Sequence, residues 1–262
     1  MTPALLISTR SARSTRSASL RFVTLGGFTA WSGGAVVPEE AFSRPKARTL
    51  LAALLCAQGP VHREVLMEWL WPRLAPDRAL RALHSTVYSL RRALEPDLQP
   101  RHRSARVLAD GEAYELVLAE DDVWDAARFA GLAHDLDGGA GLARLLAAEA
   151  AYTGPLLPQW KYEDWAMSLR EELQAMYIDV LERIALAFVG QGRLRPAVVR
   201  YRRLLALEPS CDAWHRALIG AYAGAGERAM ALRQYAICRE VLVRAHGGEP
   251  SPETQALYSR LL

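Results

Sequence analysis

The sequence lacks the patterns of several large protein classes. Its 262 residues include three cysteines, Cys56, Cys211 and Cys238, without any Cys-x-x-Cys spacing, which fits neither a disulfide framework nor a structural zinc site. The longest unbroken apolar run, Leu50 to Ala57, is far shorter than the roughly 20 residues that span a bilayer. Residues 1–19 show no recognisable secretory signal. We therefore expect a cytoplasmic protein that makes no contact with a membrane.

The motifs that mark common enzyme classes are also missing. The chain contains no Walker phosphate loop, no His-Glu-x-x-His and no Gly-x-Ser-x-Gly sequence, so neither an ATPase module nor a zinc or serine hydrolase is indicated. Residues 224–229 match the loose dinucleotide pattern Gly-x-Gly-x-x-Ala, but that pattern requires a preceding strand and a helix is predicted there. We predict a protein that is not an enzyme and that has no cofactor and no metal site.

Charge is distributed unevenly along the chain. Residues 1–106 contain 16 Lys and Arg against 7 Asp and Glu, whereas residues 107–262 contain 16 against 22. The front half therefore has a net charge of +9, and the rear half has a net charge of −6. Because Lys and Arg neutralise phosphates and release counterions, the basic front half indicates a polyanionic partner.

The front half is predicted to be an α+β winged-helix domain, residues 20–118, that follows a disordered basic arm, residues 1–19. Strands are indicated at 20–25, 28–31 and 35–37, helices at 43–58, 63–71 and 77–94, and a closing hairpin at 106–109 and 113–118. Ser43 and Asp77 are expected to cap the first and third of these helices. Asp110-Gly111 is a typical hairpin turn.

The rear half, residues 119–262, is predicted to be an all-α domain of tetratricopeptide-like helical repeats. No strand pattern follows residue 122, and helical periodicity occupies residues 125–136, 142–152, 162–189 and the chain beyond. Four positions recur after 34 residues: Phe188, Gly192, Ala197 and Tyr201 correspond to Tyr222, Gly226, Ala231 and Tyr235. An aromatic, a turn glycine, a small residue and an aromatic at this period are typical of the tetratricopeptide repeat. Stacked helix pairs of this kind provide surfaces for protein or peptide partners.

The predicted helix 77–94 combines an apolar stripe with a polar face. The stripe recurs every three or four residues and should point to the core: Leu80, Leu83, Val87, Leu90 and Leu94. The polar face, called the reading face below, consists of Arg78, Arg81, Ser85, Tyr88, Ser89 and Arg92. Arg donates twice to guanine and hydroxyl groups reach bases or phosphates, so this face suits the major groove of DNA. An ordinary solvated helix face is the alternative, but the position between a short helix and a hairpin in a basic domain favours DNA.

Other basic residues are candidates for phosphate contacts. Lys46, Arg48 and Arg63 lie in the first turns of the first two helices, where basic side chains and free backbone N–H groups hold phosphates. Arg103 and Arg106 precede the hairpin and are expected to follow the DNA backbone or to enter the minor groove. Charges that serve solubility alone are the alternative. The hairpin tip, residues 110–112, is acidic and is expected to have a structural role.

Several segments together match one known family. They are LRFVTLGGF, RPKARTLLAALL, EVLMEWLWP, STVYSLRRAL, LLPQWKYEDWAMSLREELQAMYIDVLERIA and GEPSPETQALYSRLL. With these segments, residues 20–262 resemble the antibiotic regulatory protein activators, which join a winged-helix DNA-binding domain to a bacterial transcriptional activation domain. The resemblance implies binding to direct repeats of double-stranded promoter DNA at the nucleoid, usually as a homodimer, and recruitment of RNA polymerase holoenzyme. Two positions depart from the family: Tyr88-Ser89 replaces a frequent Ser-Arg pair, and Ala113-Tyr114 replaces a Gly-Tyr pair in the wing.

A second function stays open from the sequence. The helical-repeat domain is then the working module of a protein-interaction adaptor, and the winged helix no longer binds DNA. The acidic hairpin tip and the Tyr88-Ser89 pair favour this alternative. Binding to DNA that weakens steeply with salt would distinguish the activator from the adaptor.

Overall fold

A computed structural model describes residues 18–99, 102–134 and 141–262. The described residues divide into two compact units: 18–99, 102–134 and 151–174 belong to the first, and 141–150 and 175–262 belong to the second. The predicted basic arm lies outside the described residues except for Ala18 and Ser19. The backbone carbonyl groups of these two residues accept hydrogen bonds from Arg106 and Gly33.

The strands of the first unit form two small sheets. Their bounds are β1 Leu20–Val23, β2 Thr29–Ser32, β3 Ala35–Val36, β4 Val61–His62, β5 Val107–Asp110, β6 Ala113–Leu116 and β7 Val123–Trp124. In one sheet the order is β3-β2-β1-β7, antiparallel except for the parallel pair of β1 and β7. The other sheet has the order β4-β6-β5 and contains the predicted hairpin, whose turn residue Gly111 has a φ of 58°.

The helices alternate with these strands as far as β7, and the described residues beyond β7 form helices and short 3-10 turns. Their bounds are α1 Ala47–Ala57, α2 Arg63–Leu70, α3 Pro76–Leu94, α4 Asp125–Ala133, α5 Leu142–Ala151, α6 Met167–Gly190, α7 Leu194–Leu207, α8 Asp212–Gly224, α9 Arg228–His246 and α10 Pro252–Ser259. Helix α6 begins five residues later than predicted, because short 3-10 turns occupy Pro158–Trp160 and Asp164–Ala166. The end of the predicted helix 125–136 lies outside the described residues.

The core of the first unit is built on α1 and α3. Leu50, Leu51, Leu54 and Leu55 of α1 are all buried, and α1 packs against α3 and β6. The left-handed conformation of Gln58, with a φ of 53°, ends this helix.

Both predicted N-terminal caps are wrong. The helix α1 begins after Lys46, and Ser43 bonds to a side chain of α3 instead of capping. The helix α3 begins at Pro76, so Asp77 lies inside the first turn and Ala75 occupies the cap position without a side-chain bond. Proline at the first helical position needs no N–H partner, which explains the earlier start.

The rear half is not entirely helical, contrary to the prediction, because Val123–Trp124 forms the short strand β7. Two carboxylates fix this segment beside β1. Asp122 accepts a hydrogen bond from the Leu20 N–H at 2.6 Å, and Asp125 accepts from the N–H groups of Thr24 and Leu25 at 2.8 and 2.9 Å. The division into compact units therefore does not coincide with the expected domain boundary between residues 118 and 119.

The second unit is built from helical hairpins with the predicted repeat. The helix α8 packs against α7 on one side and α9 on the other. Gly192 and Gly226 occupy the turns with φ values of 69° and 76°, a region that glycine adopts without steric cost. Ala197 and Ala231 are fully buried where the paired helices approach. Apart from the short strand β7, the predicted fold class, an α+β winged helix followed by all-α tetratricopeptide-like repeats, is confirmed.

Candidate nucleic-acid interface

The helix α3 is anchored in the first unit by its apolar stripe. Leu83, Val87, Leu90 and Leu94 are at most 3% exposed, and Leu80, nearer the N-terminus, is half-buried. The helix packs against α1, α2 and β5. An anchored helix presents its opposite face in a fixed orientation, which is what base recognition in a groove requires.

The reading face is largely open to solvent. Arg78, Arg81 and Arg92 are exposed, and the Tyr88 side chain is 68% exposed although it is aromatic. Ser85 is partly exposed, and its hydroxyl donates to the Ala82 carbonyl at 2.9 Å. Helical spacing places all these residues on one side of α3. The structure thus brings five of the six predicted base-contacting residues together on one exposed surface.

Ser89 does not belong to this surface. It is 1% exposed, and its Oγ lies 3.0 Å from the Ser43 hydroxyl and accepts from the Arg44 N–H at 3.2 Å. The segment before α1 covers it. Ser89 therefore holds that segment against α3, and its assignment to base contacts is corrected.

Arg106 is also removed from the predicted contacts. It is 3% exposed, and its guanidinium donates to the Asp122 carboxylate at 2.6 Å and to the Ala18 carbonyl at 2.7 Å. The Asp122 side chain is fully buried as well. An arginine held in this way connects the start of the hairpin to the sheet and has no access to a phosphate.

The other candidates for phosphate contacts lie at the surface, and they differ in whether a carboxylate is paired with them. Arg103 is exposed, and Lys46 is partly exposed just before α1. Arg48 is paired with Glu39 at 2.6 Å and lies over the Phe28 ring. Arg63 is paired with Glu112. A phosphate that binds Arg48 or Arg63 must displace the paired carboxylate. The contribution of these two arginines to DNA affinity is therefore reduced by the loss of the ion pair.

The acidic hairpin tip has the structural contact expected of it. The Glu112 carbonyl accepts a hydrogen bond from the Arg63 N–H at 2.7 Å, and the Glu112 carboxylate lies 3.2 Å from His62 Nε2. The tip therefore fixes the hairpin to the start of α2.

Sequence reasoning missed Arg91 as a residue that positions the interface. Its Nε and Nη2 atoms both donate to the Val107 carbonyl, at 3.0 and 2.8 Å. This bidentate contact fixes the wing strand β5 to α3. Helical spacing already places Arg91 away from the reading face, but only the position of β5 reveals its partner.

Other kinds of site find no support among the residues that the structure describes. No group of His, Cys, Asp and Glu there is arranged to hold a metal ion. Within the same residues, no helix combines the length and the apolar character needed to cross a membrane.

Comparison with known families decides the classification. Residues 124–262, more than half of the chain, match the family model of the bacterial transcriptional activator domain. The chain belongs to this family. The resemblance to the antibiotic regulatory protein activators that was inferred from the sequence is confirmed.

The relatives of this chain that have names are regulatory proteins. The chain is 26% identical to the transcriptional regulatory protein MoaR1 of Mycobacterium bovis over 95% of its own length and 81% of that protein. It is 31% identical to the regulatory protein AfsR of Streptomyces coelicolor over 94% of its length but only 24% of AfsR. These names support a role in transcription regulation.

A solved structure shares the fold. Mycobacterium tuberculosis EmbR, determined in complex with a low affinity phosphopeptide, matches 93% of this chain with a TM-score of 0.74 and 25% identity. The chain covers 65% of that protein. The match supports the winged-helix assignment of the first unit.

Proposed function

We propose that this protein is a sequence-specific activator that binds direct repeats of double-stranded promoter DNA and recruits RNA polymerase holoenzyme. The first unit places α3 in the major groove, and the second unit makes the protein contacts. The observation that carries the proposal is the exposed reading face of α3 opposite a buried apolar stripe. The relatives' names and the shared family support regulation of transcription.

Base contacts are proposed for the exposed members of the reading face. Arg81 and Arg92 donate to O6 and N7 of guanine, and each such bidentate contact discriminates against the wrong base by about 1–3 kcal/mol. Tyr88 presents a large ring to base edges, which suits the methyl group of thymine. Lys46, Arg48, Arg63 and Arg103 are proposed to fix the register on the duplex through phosphates. Homodimer formation on DNA follows from the direct repeats that the family resemblance implies.

The test uses a duplex that the full chain selects from a random pool. We expect Arg81→Ala with Arg92→Ala to weaken binding at least about tenfold and to relax the preference at the contacted guanines, because two bidentate contacts are lost. Footprinting and competition with mismatched duplexes measure both effects. Arg233→Ala with Arg244→Ala, which removes the same charge from exposed positions of α9, is the matched control.

The single variant Arg81→Ala is a second measurement, because Arg92 also donates to the Leu98 carbonyl at 2.9 Å. Losing that bond affects the end of α3 independently of DNA. An unchanged footprint and an unchanged base preference in both variants would show that the reading face is wrongly assigned.

The adaptor is the second candidate, and specific contacts favour it. Arg48 and Arg63, two of the proposed phosphate contacts, already form ion pairs with Glu39 and Glu112. An adaptor predicts that no duplex is selected from the pool at all, whereas the activator predicts a selected and repeated sequence.

A further inference from the structure

The second unit contains a basic segment within an acidic half of the chain. Residues 184–207 include no Asp or Glu, yet they include the five arginines Arg193, Arg195, Arg200, Arg202 and Arg203. These arginines belong to α7 and the turn before it. Residues 107–262 as a whole have an excess of acidic residues, so this segment is a local reversal of charge.

The inner arginines of the segment have structural partners. Arg200 and Arg203 both donate to the Glu149 carboxylate, at 2.7 and 2.6 Å. Arg193 and Arg200 lie against the Phe188 ring, at 4.7 and 5.4 Å from its centroid. Packing of the repeat explains these three residues.

The outer residues of α7 have no such explanation. Arg195, Val199, Arg202 and Ala206 follow the helical spacing of four, three and four residues and form one exposed stripe, called the outer face of α7. The buried stripe of Ala197, Tyr201 and Leu204 lies on the opposite side. The Arg195 side chain is 88% exposed and has only a distant contact, 3.9 Å, with Glu227.

The composition of the outer face indicates what covers it. Val199, 45% exposed, lies between the two arginines along the helix, so cationic and apolar groups alternate. A phosphate backbone pairs with the arginines but leaves Val199 uncovered. A protein segment with carboxylates and apolar side chains pairs with the arginines and also removes Val199 from water, which is favourable because apolar surface is buried.

We propose that the outer face of α7 docks an acidic protein segment with interspersed apolar side chains, and that this segment belongs to the transcription machinery. The proposal rests on the proposed function and names the surface through which the second unit makes its protein contact. Electrostatic complementarity of this kind accelerates association and selects the partner.

The test compares activation with DNA binding in the full chain. Transcription is measured with purified RNA polymerase holoenzyme on a template with two direct repeats of the selected duplex upstream of a core promoter. We expect Arg195→Glu with Arg202→Glu to reduce activation at least about tenfold, because like charges then face each other in the complex. The affinity for the duplex should stay within about twofold of the wild type.

Two further variants isolate the cause. Val199→Ser keeps the charge and should reduce activation several-fold, since only the apolar contact is lost. Arg233→Glu with Arg244→Glu reverses two exposed arginines on α9 and should leave activation unchanged. All the altered side chains are exposed, and the Arg244–Glu240 contact is a surface ion pair that contributes little to stability, so the thermal unfolding midpoints should stay close to that of the wild type.

The outcomes separate this proposal from the proposed function. Full activation by the α7 variants, with DNA binding retained, would overturn the docking surface alone. A tenfold loss of duplex affinity in Arg195→Glu with Arg202→Glu would assign the outer face to nucleic acid and would also overturn it. A wild-type protein that neither binds a selected duplex nor activates would overturn the proposed function itself.

Discussion

Two arginines of the first unit show how the surroundings of a residue decide its role. Arg81 is exposed on α3, whereas Arg106 is buried against Asp122. Helical periodicity predicted the position of Arg81, because the spacing within α3 alone determines that this side chain points away from the core. Nothing local marks Arg106, since its acidic partner lies 16 residues further along the chain. The fate of such a residue depends on tertiary contacts.

Ser89 illustrates the same limit within α3. Its helical position is close to that of exposed residues, and the sequence therefore placed it on the reading face. The segment with Ser43 and Arg44 folds over it and bonds to its hydroxyl. A covering segment outside the helix leaves no periodic signal in the helix itself.

Replacement of Arg106 tests the structural role assigned to it. We expect Arg106→Ala to reduce the free energy of unfolding by about 3 kcal/mol, because the buried Asp122 carboxylate loses its cation. Exposed Arg103 is the control, and Arg103→Ala should change stability by less than about 0.5 kcal/mol. Urea unfolding of both variants measures the difference. Equal stabilities would show that the pair contributes nothing to the fold.

At the scale of elements, the sequence predicted long periodic helices better than short segments. The apolar stripe of α3 and the repeat alanines Ala197 and Ala231 lie where their spacing placed them. The strand β7 was missed because two residues are too few to show an alternating pattern. It forms only because β1 offers an open edge and because Asp122 and Asp125 bond to the β1 segment.

His215 connects three neighbouring segments of the second unit. Its Nε2–H donates to the Pro209 carbonyl before α8 at 2.8 Å, and its Nδ1 accepts from the Gln234 amide of α9 at 2.7 Å. Burial lowers the pKa of His215 below its usual 6.5, although the Pro209 bond and the Asp212 charge oppose the shift. The folded state therefore favours the neutral ring, in which Nδ1 remains an acceptor.

This geometry predicts a pH-dependent stability. The unfolded state binds a proton near pH 6.5 and the folded state only at lower pH, so the free energy of unfolding should fall as the pH drops below about 6.5. The His215→Gln variant keeps a donor but does not titrate, so its stability should fall less over the same range. Urea unfolding at pH 7 and pH 5 provides the comparison. Parallel pH profiles of the two proteins would exclude His215 as the cause.

On the scale of the whole molecule, the two units have surfaces of different chemistry. The first unit exposes arginines on an anchored helix, which suits the base edges and phosphates of a DNA duplex. The second unit exposes a valine between two arginines on α7, which suits an acidic protein segment with apolar side chains. A regulator of transcription needs both kinds of contact, and the membership of the bacterial transcriptional activator domain family agrees with this division.

The salt dependence of DNA binding by the full chain tests the central claim most directly. If the reading face enters the groove while Lys46 and Arg103 hold phosphates, the logarithm of the association constant should fall linearly with the logarithm of salt concentration. The slope should be about −0.9 for each phosphate contact. Arg103→Ala should make that slope shallower by about one unit. Binding that is absent, or that does not change with salt, would contradict the account.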